Sequence, residues 1–254
     1  MATYGELLDR YVDRSNKFIH KIDPKRVGVL MLDVQNLCLN PQGADYIDSF
    51  GGALEGKDTL GPAKKVLDRA REEGLPVFWS MWGLRPDGAD PGIGKFKAPD
   101  FMSGTPDQPG SHGTWNGALC DGFEPRFGEP LVQKHRYSTF YGTPFNEWLQ
   151  EKDIEYLVIC GSSTANCVLT TAQDGWNRNY KVLVLADTCT AVSVYRGKID
   201  LWKEPVPQGY GQHWEALRNI QASYGDVMTS DEFFELIDKS KTSARKPVLA
   251  RATA

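Results

Sequence analysis

The sequence has no C-x-x-C pair, and its five cysteines, Cys38, Cys120, Cys160, Cys167 and Cys189, are odd in number and widely spaced. That pattern argues against a disulfide framework and for several thiols packed as small hydrophobes. It has no long basic block: Lys+Arg 29 stand against Asp+Glu 33, a net charge of -4. An electrostatic footprint for nucleic acid or an anionic membrane is therefore missing, which favours a small-molecule partner. No apolar run approaches the length of a membrane span, and the first 26 residues alternate charged with apolar side chains instead of forming a signal peptide. A soluble, cytoplasmic protein is expected. Histidine is scarce, and none of His20, His112, His135 and His213 has neighbours at ligand spacing. Neither a metal nor another cofactor is expected, and no internal repeat or low-complexity tract is present.

What is there is the material of a large core: 254 residues, 41% of them hydrophobic and 24% charged, a size that suits one domain. Strand-like apolar runs at residues 27–32, 76–81, 131–134, 156–160, 181–186 and 226–228 alternate with helix-like segments. One helix follows Gly61-Pro62, with Ala63, Val66, Leu67 and Ala70 on one face and Gly74 as its stop. Others are expected at 143–151 and 165–177, around Trp214, Leu217 and Ile220, and from Ser230. This alternation predicts an α/β protein, a three-layer α/β/α sandwich with a mostly parallel six-stranded Rossmann-like sheet. Residues 1–26 read as an N-terminal extension, 27–238 as the domain, and 239–254 as a polar tail, either disordered or laid on a neighbouring subunit. Two irregular stretches, 83–128 and 192–211, read as long loops.

In open parallel sheets reactive groups gather beyond the carboxyl ends of the strands. Asp33 follows the first run, Lys134 closes the third, and Cys167 lies just past the fourth, at the start of a helix. A thiol at a helix N-terminus, with a lysine nearby, is expected to have a lowered pKa. A carboxylate in reach can take its proton and later hand it to a leaving amine.

Three blocks carry a resemblance. They are VGVLMLDVQN, ending in Asp-x-Gln; VQKHRYSTFYGTPFNEWL, with Lys-x-x-x-Ser-x-Phe and a following Gly-Thr; and VICGSSTANCVLTTAQDGWNRNYKVLVLADTC, with Gly-x-x-Thr-x-x-Cys-Val. In order and spacing the chain resembles the isochorismatase-like cysteine hydrolases, which include nicotinamidase, N-carbamoylsarcosine amidohydrolase and biuret hydrolase. The likeness runs from Val27 to Leu236 and implies the isochorismatase-like hydrolase fold.

The resemblance implies a catalytic triad of Asp33, Lys134 and Cys167, and a cis peptide bond at Ser162-Ser163. The N–H groups of Ser163 and Cys167 would form an oxyanion hole. Gln35, Trp82, Arg85, Phe140 and Tyr141 are candidates for binding substrate, with Gln35 expected to support the site by hydrogen bonds and the aromatics open between pocket wall and core. The implied activity is hydrolysis of a non-peptide C–N bond in a small amide or ureido compound through a thioester, by a homo-oligomer, dimer or tetramer. Hydrolysis of a lactam is the alternative within the family, and a non-catalytic binding paralogue the alternative outside it. The stretch after Asp33 lacks the Asp-x-His of nicotinamidases, which again points to a metal-free site, and Ala165 stands where many relatives carry a polar residue.

Overall fold

A computed structural model describes residues 3–44, 59–99, 102–191 and 212–245. Six strands, β1 (Val27–Leu32), β2 (Val77–Trp82), β3 (Leu131–Lys134), β4 (Tyr156–Ser162), β5 (Lys181–Thr190) and β6 (Asp226–Met228), form one sheet in the order β3-β2-β1-β4-β5-β6. Every neighbouring pair is parallel. The described helices are α1 (Tyr4–Tyr11), α2 (Asn36–Leu39), α3 (Leu60–Glu72), α4 (Gly94–Lys97), α5 (Phe145–Glu151), α6 (Leu169–Asn177), α7 (Gln212–Ser223) and α8 (Ser230–Arg245). The expected three-layer α/β/α architecture is present, with a sheet that is parallel throughout.

The continuous apolar runs of β1 and β4 are what a sheet buried on both faces requires. Alternate residues divide between two cores, as a period of two dictates. Val27, Val29 and Met31 meet Val66 and Leu67 of α3 and Phe233 and Ile237 of α8. Leu30 and Leu32 face the other layer, built from Leu8 of α1, Phe145 and Leu149 of α5, Ala172 of α6 and Trp214, Leu217 and Ile220 of α7. Helix α3 ends where expected: Gly74 takes φ +68, and Leu75 N–H closes on Ala70 O at 2.8 Å.

The N-terminal extension is ordered from Thr3 onward. A capping box joins Thr3 and Glu6 at the start of α1, and Tyr4 stacks on Trp214 with ring centroids 5.7 Å apart. The chain then runs along the β6 edge, where Phe18 N–H and Ile19 N–H donate to Asp226, and Arg14 pairs with Glu232 at 2.7 Å. Helix α8 continues past 238 to Arg245, and Ser240 is buried and bonded to Leu236 O and Ile22 N. Residues 246–254 and the 192–211 loop lie outside the described residues.

One glycine is required by close approach. Gly161 takes φ +130, and a Cβ there would lie 1.9 Å from the carbonyl oxygen of Leu32 on the neighbouring strand. The same strand slips register against β5 between Ile159 and Gly161, an irregularity of the kind that re-aims a strand end. Gly161→Ala is expected to destabilise the protein by at least about 3 kcal/mol, through overlap and a disfavoured dihedral together. Thermal unfolding of the variant, lowered by roughly 6 °C or more for a chain of this size, checks it.

Candidate active site

From β1 the chain moves outward to β2 and β3, then crosses back to place β4 on the other side of β1. A crevice opens beyond the carboxyl ends at such a reversal. Asp33 stands on one lip, one residue past β1, and a five-residue π-type turn, Thr164–Val168, carries Cys167 on the other. Lys134 comes from β3, two strands from β1, roughly 10 Å away at normal sheet spacing. Its side chain crosses that gap over β2, where the small Ser80 stands.

Asp33 adopts φ +50, a left-handed conformation uncommon outside glycine. Its backbone is held from several directions: its N–H donates to Ser80 O at 3.0 Å, and its carbonyl accepts from Gln35 N–H at 2.8 Å and Ser162 Oγ at 3.0 Å. Its carboxylate accepts from Ser80 Oγ at 2.8 Å through Oδ1, and from Lys134 Nζ at 2.6 Å through Oδ2. The Lys134 ammonium has three N–H donors. Besides Asp33 they reach Arg136 O at 3.2 Å and Cys167 Sγ at 3.3 Å. All three triad side chains are buried, Cys167 at 7% exposure.

The electrostatics differ from the sequence expectation. Burial pushes the Cys167 thiol up to about 12; Lys134 pulls it down, but Asp33 opposes that pull through its charge and its hydrogen bond. The lowered pKa expected from a helix N-terminus is overridden because the cysteine is enclosed in the turn before α6. For Lys134, burial disfavours the ammonium, yet Asp33 and Cys167 outweigh it and raise its pKa. Burial thus favours the protonated thiol, while the two partners favour the ammonium of Lys134. Cys38 and Cys120 are likewise pushed up to about 12 by burial, but no lysine is among the groups that shift them.

The cis peptide bond expected at Ser162-Ser163 is present. The five other candidates are not brought together around the thiol. Gln35 is buried and braced, donating to Trp82 O at 2.9 Å and Gly117 O at 2.7 Å while its Oε1 accepts from Trp82 N–H at 2.9 Å. Both its N–H groups are thus committed to backbone. Trp82 packs in a small cluster with Leu37, Leu84 and Met102. Arg85 is exposed and turned to Asp87 at 2.5 Å, because the loop after β2 directs it outward. Phe140 lies in the core between Phe145 and Tyr180, beneath the Arg178 guanidinium. Tyr141 is 59% exposed, with its ring set edge-on to His135.

Three contributors escaped the sequence reading. Ser80, the ligand of Asp33, is the lone polar residue inside VFWSMW, and that interruption is a signal. Tyr137 lies beside the pair, its phenol pushed up by burial and by Cys167. The segment that carries it is tied to α6 by Ser138 Oγ to Asp174 at 2.5 Å and Thr139 N–H to Thr171 Oγ1 at 3.0 Å. His213 accepts or donates at Thr164 in the nucleophile turn, 2.8 Å away, and nothing in its sequence neighbourhood marks it.

Residues 28–232 match the Isochorismatase domain. A ureidoacrylate amidohydrolase from Methylobacterium radiotolerans is 31% identical over 176 residues, 65% of this chain and 67% of the relative. Among solved structures, a cysteine hydrolase from Pseudomonas syringae pv. phaseolicola superposes with TM-score 0.72 at 27% identity, covering 86% of this chain and 95% of its own. An N-carbamoylsarcosine amidase from Thermoplasma acidophilum shares the fold, with TM-score 0.57, 24% identity and 81% and 97% coverage. With the domain match spanning most of its length, the chain belongs to the isochorismatase family.

Proposed function

We propose that the chain is a cysteine-dependent amidohydrolase acting on a small ureido or amide compound, with Cys167 as nucleophile, Asp33 as proton carrier and Lys134 as the cation that orders them. The observation that carries this reading is the single ammonium bonded at once to Asp33 and to the Cys167 sulfur. The names of relatives that act on ureidoacrylate and N-carbamoylsarcosine support a ureide.

The thiol, protonated as its burial favours, loses its proton to Asp33 as sulfur attacks the carbonyl carbon. Lys134 lies beside both the departing proton and the developing thiolate. The oxygen of the tetrahedral intermediate would be met by the N–H groups of Ser163 and Cys167. As the C–N bond breaks, Asp33 returns its proton to the leaving nitrogen, and the acyl group stays on sulfur as a thioester. Water, deprotonated by Asp33, then releases the acid and restores the thiol. Gln35 shapes the site by bracing the end of β2, and the other four candidates remain outside this proposal.

The chain's compartment and assembly belong to the same proposal. All five cysteines are free, as suits a reducing compartment such as the cytoplasm, and no described helix is long and apolar enough to cross a membrane. Ile93, Phe96 and Phe127 are strongly exposed, which supports a homo-oligomer. Light scattering is expected to give a multiple of 28.3 kDa.

An ammonia-release assay over 3-ureidoacrylate, N-carbamoylsarcosine, maleamate and nicotinamide, with chromatography of the ring-opened amino acid for lactams, tests the activity. Turnover is expected with the ureides, and Cys167→Ala should lower it more than about a thousandfold with the fold intact; activity that survives the substitution overturns the reading. Asp33→Asn separates two effects. Removing the carboxylate deletes a group that raises the thiol pKa while Lys134, which lowers it, remains. Thiolate absorbance, taken as a difference from Cys167→Ser, should titrate at lower pH than in the wild type, while kcat falls about a hundredfold or more for want of a base. Lys134→Met leaves Asp33 buried without its cation and is expected to cost about 3–5 kcal/mol of stability, read by urea unfolding.

A further inference from the structure

The nucleophile turn is anchored from outside the matched domain. Thr164, fully buried and adjacent to Ser163, bonds through Oγ1 to Nδ1 of His213 on α7 at 2.8 Å. The other ring nitrogen, Nε2, lies 2.7 Å from the hydroxyl of Tyr4 on α1, which also donates to Ala186 O of β5 at 2.9 Å. Tyr4 lies more than twenty residues before the start of the domain match at residue 28.

The direction of these bonds follows from the inventory of protons. A carbonyl only accepts, so the single Tyr4 proton goes to Ala186 O, and the phenol oxygen accepts from His213 Nε2–H. Burial first, then Asp187 and Cys189, push the Tyr4 phenol well above its ordinary value, so that proton is retained. On its other side the ring meets the Thr164 hydroxyl through Nδ1. The result is one continuous hydrogen-bonded chain linking Thr164, His213, Tyr4 and Ala186 O. Tyr4 is itself fixed by stacking on Trp214 and by the capped helix that carries it.

We infer that Tyr4 and His213 are positioning residues for the reaction: through Thr164 they hold the 163–164 backbone, and with it the N–H of Ser163, where the carbonyl oxygen of the substrate must be received. The N-terminal extension is in that sense part of the catalytic apparatus. This inference rests on the proposed roles of Cys167 and Ser163. Cys167 lies on the same turn, but its Sγ is held separately by Lys134, so a shift at residues 163–164 costs the Ser163 contact first.

Acylation and alkylation of the same thiol separate these effects. Acylation by p-nitrophenyl acetate passes through an oxyanion; alkylation by iodoacetamide does not. Tyr4→Phe keeps the ring that stacks on Trp214, and Thr164→Val keeps the volume of the side chain, so each removes only a hydroxyl. In the full-length protein, the nitrophenolate burst rate of either variant is expected to fall about tenfold, with iodoacetamide labelling of Cys167 within about twofold of wild type. The double variant should be no worse than the more impaired single variant, because both break one chain. An unchanged burst rate overturns the inference. So does a parallel fall of burst, labelling and melting temperature, which would mark a purely structural role. Cys167→Ala is the control: a silent control with a normal Tyr4→Phe burst defeats the positioning role alone, whereas a burst that persists in Cys167→Ala defeats the proposed nucleophile as well.

Discussion

The Lys134 to Asp33 ion pair is the constraint around which the site is organised. Removing two charges from water costs several kcal/mol per ion, and their attraction offsets this only where the remaining donors and acceptors are satisfied. Here they are. Each carboxylate oxygen of Asp33 has a donor, and each ammonium proton of Lys134 has an acceptor, the last being a sulfur atom. Lysine thus places the thiol as well as neutralising the carboxylate, because a side chain with three protons and two oxygen partners completes its shell at Cys167.

The sheet order sets the span of that pair. A lysine on β3 reaches an aspartate after β1 across the one strand that intervenes, and that strand supplies Ser80 as a second donor to the same carboxylate. Crossing back to put β4 on the free side of β1 then delivers the nucleophile to the opposite lip. The close approach of Gly161 to Leu32 and the left-handed turn at Asp33 are the local conditions for drawing those two strand ends together.

Much of this was legible in the residues. Doubly buried strands such as β1 and β4 announce themselves as unbroken apolar runs, and all six strands were found, with ends short by up to four residues where β5 continues through polar Asp187 and Thr188. The meeting of Asp33, Lys134 and Cys167 was legible because they sit at or just past strand ends within distinctive blocks. What could not be read was anything set by long-range packing. The direction of Arg85 depends on a loop, the burial of Phe140 on α6 and Tyr180, and the thiol pKa on enclosure that a helix-terminus argument does not see. The first helix was missed although Thr3-x-x-Glu6 spells its cap. The contact of His213 with the nucleophile turn joins residues 49 positions apart, and no local pattern carries that information.

The enclosed state of Cys167 bears on how such an enzyme ages. Peroxide attacks thiolates, and susceptibility to sulfenic acid formation follows thiolate character and exposure. A thiol whose pKa is raised by burial, and that shows only 7% of its surface, offers oxidants little to react with. The same enclosure that raises the thiol pKa thus also limits its contact with dissolved oxidants.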